Sequence, residues 1–189
     1  PKDEIKRPVY TVDFLTRLED VHIFELSSKV IDTSQYHENQ VLEMFSAPKV
    51  SHDLSGGLYL SDNAVNLMFV KENGEQIMLL KTDGLVTEFS RAVLTKKENS
   101  FRLEKNLYLI INEDTNENGY LDHKDEAKLF SSNYDGKDLK LVLSDVGSFK
   151  LINDNKLIIS QKGESPSFFT FNVADSLLSL NTAINVSKG

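Results

Sequence analysis

The chain reads as short apolar segments, four to eight residues long, separated by polar turns rich in Asp, Asn and Gly. Segments of that length, with β-branched and aromatic side chains and turn residues at their ends, predict strands. Three stretches align on one pattern. The first runs Asn66–Glu72, Glu75–Gly84 and Leu85–Phe89; the second Asn106–Ile111, Ala127–Gly136 and Leu139–Leu143; the third Lys156–Ser160, Ser167–Asp175 and Ser176–Leu180. Each is a strand, a turn, a second strand, an Asp-centred turn and a third strand. A fourth strand is predicted before the second and third stretches, at Phe101–Asn106 and Phe149–Asp154, 48 positions apart.

Four short strands recurring every 40–50 residues is the period of propeller blades. A lone four-stranded sheet leaves two apolar faces in water, and stacking sheets face to face buries them. The expected fold is all-β: a β-propeller-like stack of four-stranded antiparallel sheets, about four units, closing as a ring or forming part of one. The alternative is a β-sandwich. The whole of 1–189 reads as a single domain, with a degenerate first unit at about 8–55 and repeats at about 56–98, 99–148 and 149–189. Within the first unit, Val21–Leu26 and Gln40–Phe45 read as strands, and Ser51–Gly57 as the turn out of it. Thr11–Asp20 reads as a strand or, from Phe14, Leu15 and Leu18, as a short helix.

One segment carries recognisable chemistry. Residues 114–125, Asp-Thr-Asn-Glu-Asn-Gly-Tyr-Leu-Asp-His-Lys-Asp, match the spacing of a twelve-residue calcium loop. Calcium takes six to eight oxygen ligands in a flexible shell. Asp114, Asn116 and Asn118 supply side-chain oxygens at positions 1, 3 and 5, Gly119 makes the sharp turn, and Tyr120 offers its backbone carbonyl. Asp122 acts directly or through a water, Asp125 closes the site, and Leu121 is the apolar residue expected to tie the loop to the body. Asp125 stands where a bidentate Glu is usual and is one methylene shorter. With three carboxylates and two neutral amides, weak binding in the ~10⁻⁴–10⁻³ M range is expected. The flanks are not helical: Leu107–Ile111 is strand-like, and Glu126–Phe130 reads as a strand or a single helical turn before one. Asn66 to Asp83 spans 17 positions and Asn106 to Asp135 spans 29, so the second unit is longer by 12, the length of the loop. The loop is therefore expected as an insertion between two strands, with a structural calcium ion rather than a sensor role. The competing explanation is a polar hairpin built from turn-forming Asn and Asp.

The segment Asn106–Leu143, with this loop between strands and Tyr134-Asp135-Gly136 after it, resembles bacterial β-propeller repeats. Similar units occur in the translocation protein TolB and in the propeller domains that precede prolyl-oligopeptidase-type hydrolases. The resemblance covers about residues 56–180 at the level of single blades. It implies a periplasmic or extracellular scaffold, exported with a signal peptide since removed, that binds another protein or an envelope ligand on its rim or channel. TolB-like proteins have more blades than fit in this chain, so four units would close alone, join a homo-oligomeric ring, or belong to a larger protein.

Composition narrows the partners. Lys and Arg number 21 against 29 Asp and Glu, a net charge of −8, which argues against nucleic acid as a ligand. Cys is 0, so disulfides, thiolate metal sites and cysteine nucleophiles are excluded. No stretch reaches the ~18–20 apolar residues of a membrane-spanning helix. No G-x-S-x-G, metal-binding His pair, P-loop or dinucleotide fingerprint occurs. Ser51-His52-Asp53 contains triad residue types, but neighbours on an extended segment point apart. His22, His37, His52 and His123 show no ligand spacing, and His123 falls at position 10 of the loop, facing solvent. The expected function is a non-catalytic, calcium-stabilised binding scaffold; the alternative is a calcium-dependent carbohydrate-binding β-sandwich, against which Trp 0 argues.

Overall fold

Asn106-Leu-Tyr-Leu-Ile-Ile111 has no polar–apolar alternation after its first residue, the pattern of a strand covered on both faces. In a computed structural model, which describes residues 9–29 and 57–181, all six of these residues are buried. They form β7, in the middle of the middle sheet. Around it lie β1 (Val9–Leu18), β2 (Val21–Lys29), β3 (Gly57–Leu58), β4 (Ala64–Lys71), β5 (Gln76–Met78) and β6 (Leu85–Ser90). Beyond β7 (Asn106–Ile111) follow β8 (Lys128–Ser132), β9 (Lys140–Leu143), β10 (Val146–Asn153), β11 (Lys156–Gln161), β12 (Ser167–Asn172) and β13 (Leu177–Asn181). Among the described residues there is no helix.

The strands make three antiparallel sheets: β1-β2-β4-β5, then β3-β6-β7-β8-β9, then β10-β11-β12-β13. The fold is all-β, a stack of antiparallel meanders. The second sheet is a four-stranded meander with the two-residue β3 added at its edge. It lies between the other two. Tyr108 and Ile110 face the first sheet and pack with Val21, Ile23, Leu67 and Phe69. Leu107 and Leu109 face the third and pack with Leu157, Ile159 and Phe171. Successive side chains of one strand thus enter two different cores, as the period of two requires. A bulge between Val86 and Glu88 in β6 lets Val86 and Phe89 share the face toward the first sheet. There Phe89 stacks on Tyr108, with ring centroids 5.3 Å apart. The Tyr108 hydroxyl, buried in this core, is 2.7 Å from Ser132 Oγ, and burial pushes its phenol far above the ordinary value.

Two buried asparagines hold equivalent corners of the first two sheets. Asn66 accepts from the Leu67 and Leu80 amides and donates to the Leu80 carbonyl and, at 3.0 Å, to Asp83 Oδ1. Asn106 accepts from the Ala92 amide at 2.7 Å and donates to the carbonyls of Asn133 and Tyr134. These are the residues aligned by the sequence repeat. Sheets one and two are also joined by ions: Lys71 Nζ lies 3.1 Å from Asp135 and 3.4 Å from Glu75, which in turn meets Lys137 at 2.9 Å.

The third repeat, 149–180, forms its sheet with all four strands where the sequence places them. Elsewhere the phase differs. β4 and β5 complete the sheet begun by β1 and β2, while β6, aligned with them in sequence, opens the next sheet. The helix alternative over Thr11–Asp20 is not realised: β1 runs through Leu18 and turns tightly into β2 at Glu19, whose φ is +53°. Phe101–Lys105 is not a ladder strand either. Its backbone docks on the β10–β11 turn instead: the Arg102 and Glu104 amides donate to the Asp154 and Asn155 side chains, and the Arg102 carbonyl accepts from the Asn155 amide. Only Leu103 keeps a bridge, to Val93. The predicted strand at Gln40–Phe45, the turn at Ser51–Gly56 and the Ser51-His52-Asp53 triplet lie outside the described residues.

Candidate functional site

The β7–β8 connection carries residues 112–127, so residues 114–125 are an insertion between paired strands, as the repeat lengths predict. At its base Lys128 Nζ meets Glu113 Oε1 at 2.7 Å. No helix follows it; Asp122–Asp125 is a turn, and β8 starts at Lys128.

The loop coils inward because its Asx side chains accept from its own amides. Asp114 Oδ1 and Oδ2 accept from the Asn118 and Gly119 amides at 3.2 and 2.7 Å. Asn116 and Asn118 oxygens accept from the amides two residues on, those of Asn118 and Tyr120. Two left-handed positions permit the coil, Glu117 at φ +57° and Gly119 at φ +87°. A Cβ on Gly119 would meet nothing within 4 Å, so this glycine serves backbone conformation and not space.

Three side chains converge at the centre. Asn116 Nδ2 and Asn118 Nδ2 donate to Asp122 Oδ1 and Oδ2, at 3.4 and 2.6 Å. The Asp122 carboxyl is held below its ordinary value, first by Asn118 and then by the Lys124 amide. Two amide NH₂ groups thus stand against one carboxylate, where a cation would satisfy the same charge. Each amide oxygen has two lone pairs, so the Asn116 and Asn118 oxygens that accept from the Asn118 and Tyr120 amides can also face a cation.

Asp125 has a different position. It is 2% exposed, and its oxygens accept from the Asn116 and Asp122 amides at 3.1 and 2.9 Å, with Thr115 Oγ1 at 3.4 Å. It staples the two arms of the loop together. Leu121 is 36% exposed and Tyr120 77% exposed, so the apolar residue the sequence suggests is not buried against the body. His123 is exposed, with Nε2 3.2 Å from the Asp62 carbonyl oxygen, which links the loop to the segment leading into β4. Among the described residues no three Asp, Glu or His side chains stand close enough to hold an ion by themselves. An ion at this loop therefore needs the neutral oxygens of Asn116, Asn118 and Tyr120 beside Asp114 and Asp122. That donor set is all oxygen and suits a hard divalent cation.

A second feature was not visible in the sequence. Sheets two and three part at the β3–β6 edge to leave a cleft of about 520 Å³, with an apolar floor of Leu103, Leu107 and Leu157. Glu88, Arg91 and Lys150 border it. Burial raises the Glu88 carboxyl and lowers the Arg91 guanidinium relative to their ordinary values. Arg91 donates to Thr16 Oγ1 and to the Arg17 carbonyl, both at 2.8 Å. The residues lining the cleft come from segments up to 99 positions apart, Leu58 to Leu157, and only strand pairing brings them together. The cleft shares no residue with the loop.

In comparisons with protein families, curated proteins and solved structures, nothing matches the chain.

Proposed function

We propose that this chain is a non-catalytic β-sheet scaffold whose inserted loop 114–125 binds a calcium ion, and that it binds a protein or small ligand in the bacterial envelope. The observation that carries the metal reading is the convergence of Asn116, Asn118 and Asp122 at the centre of a loop already coiled by the Asp114 acceptors. Asp114 and Asp122 contribute charge, Asn116 and Asn118 contribute amide oxygens, and Tyr120 its carbonyl. Asp125 either ligates or keeps the loop ends in place. The role of the ion is structural: it neutralises carboxylates gathered in one turn and fixes a protruding hairpin. Sensor behaviour needs flanking helices that change angle, and this loop joins two strands of a packed sheet.

The binding role rests on the cleft between sheets two and three and on the blade-like meanders. Placement in the periplasm or outside the cell follows from the resemblance to TolB-like repeats and from the weak calcium affinity expected of the loop, which needs ~10⁻⁴–10⁻³ M metal. Thermal unfolding of the full chain in calcium, magnesium and EDTA tests the metal reading. Calcium should raise the midpoint over EDTA, and Asp114→Ala should remove that increment. An unchanged midpoint with every additive refutes it.

A further inference from the structure

Three charged residues border the cleft between sheets two and three, and the strand register separates them. In β6, Glu88 pairs with Leu109 and Ser90 with Leu107. Opposite residues of an antiparallel pair project on the same side of the sheet, and both leucines pack in the core between sheets two and three. Glu88 and Ser90 therefore point toward the third sheet, into the cleft they line. Lys150 does not. In β10 its neighbours Phe149 and Leu151 pair with Ile159 and Leu157 and pack inward, while Lys150 pairs with the exposed Ile158. Alternation thus turns Lys150 to the outer face of the third sheet. The Arg91 guanidinium is engaged by Thr16 Oγ1 and the Arg17 carbonyl of the first sheet. Glu88 is the one charged side chain that β6 and β10 direct between these two sheets.

Among the described residues Glu88 makes no ion pair. Burial raises its carboxyl, and no neighbouring cation offsets that rise. It is nonetheless exposed, so a ligand entering from solvent can reach it. A partly desolvated carboxylate beside an apolar floor gains a charge-assisted hydrogen bond from an ammonium. Tyr59, 64% exposed, and Phe149 line the same cleft and add aromatic surface, which attracts cations. The cleft volume of about 520 Å³ falls within the ~300–1,000 Å³ of small-molecule sites. The net charge of −8 draws cations rather than anions toward the chain. We propose that the cleft binds a small organic cation, with its apolar body on the leucine floor and its ammonium on Glu88 and Ser90 Oγ. This ligand class rests on the cleft being the binding site of the scaffold.

Isothermal titration of octylammonium, octanol and octanoate into the full chain tests it, at two temperatures so that a heat vanishing at one is seen at the other. Octylammonium should bind one site about tenfold more tightly than octanol, with octanoate weaker still. Glu88→Gln should weaken octylammonium by about tenfold or more and leave octanol binding no weaker, which shows that the variant keeps the cleft. Glu88→Ser takes its place should far-UV circular dichroism show the glutamine variant unfolded. Glu164→Gln, which removes the same charge from the exposed β11–β12 turn, should leave all three ligands unchanged. Octanol or octanoate binding as tightly as octylammonium overturns the proposal while leaving the cleft a binding site. Undiminished octylammonium binding by the folded Glu88 variant also overturns it. Absence of binding by all three ligands up to about 5 mM overturns both the cation preference and the binding role of the cleft.

Discussion

Gly136 is where the second sheet's turn touches the core of the first, and substituting it with alanine measures that contact. Its φ is +87°, and a Cβ there would fall 2.5–2.8 Å from three ring carbons of Phe69, which is fully buried. Two costs combine: about 1–2 kcal/mol for an L-residue in the left-handed region, and about 1–3 kcal/mol for overpacking a filled core. Gly136→Ala should therefore destabilise by about 2–5 kcal/mol. Gly74 is the internal control, because its φ is +93° but a Cβ would meet nothing within 4 Å. Gly74→Ala should cost only the backbone part, about 1–2 kcal/mol. Urea unfolding followed by far-UV circular dichroism suits a chain with Trp 0. Phe69→Leu placed in the Gly136→Ala background should show a favourable coupling, since the smaller side chain makes room. If Gly136→Ala and Gly74→Ala agree within about 0.5 kcal/mol, the packing of this turn on Phe69 is wrong.

Asn106→Ala should lose about 1–3 kcal/mol for each group it strands, beginning with the Ala92 amide, and urea unfolding reads this directly. At the acid end, the Glu75 carboxyl is held below its ordinary value chiefly by Lys137, and Asp154 chiefly by the Arg102 amide and then Lys96. Groups depressed in the folded state stabilise it above their unfolded values, and the stabilisation fades as pH falls through the folded ones. The unfolding midpoint should thus drop below about pH 4, and Glu75→Gln with Asp154→Asn should flatten that fall; an unaltered acid limb counts against both contacts. At the alkaline end the Lys71 amine is raised above 10.5, first by its hydrogen bond to Asp135. That stabilisation is present below the ordinary value and is lost as pH rises through the folded one, so Lys71→Met should lower the unfolding midpoint across neutral pH and remove its alkaline fall.

How much of this was legible depended on whether the information was local. β7 could be read as a strand from its composition alone; that its unbroken apolar run enters two cores shows only in the stack. The third sheet could be read strand by strand because its hairpins are short and its register follows from alternation. The phase of the first two sheets could not. Alternation fixes which side chains point inward, but not whether β6 pairs with β5 or with β7, and the stretch between β2 and β4 separates strands of one sheet. Phe101–Lys105 has strand composition, but Asp154 and Asn155 take its backbone hydrogen bonds. The loop spacing was legible position by position. That Asp125 is buried as a staple was not, because its role depends on which amides reach it. Glu88, Arg91 and Lys150 carry no local signature at all; the cleft they border exists only once sheets two and three are in place.

Isothermal titration of calcium into the metal-stripped full chain tests the central claim most directly. One site should appear at ~10⁻⁴–10⁻³ M, with its heat abolished in Asp114→Ala and sharply reduced in Asp122→Ala. Absence of heat from the wild-type chain at millimolar calcium, or an identical isotherm from Asp114→Ala, would contradict a calcium ion held by this loop.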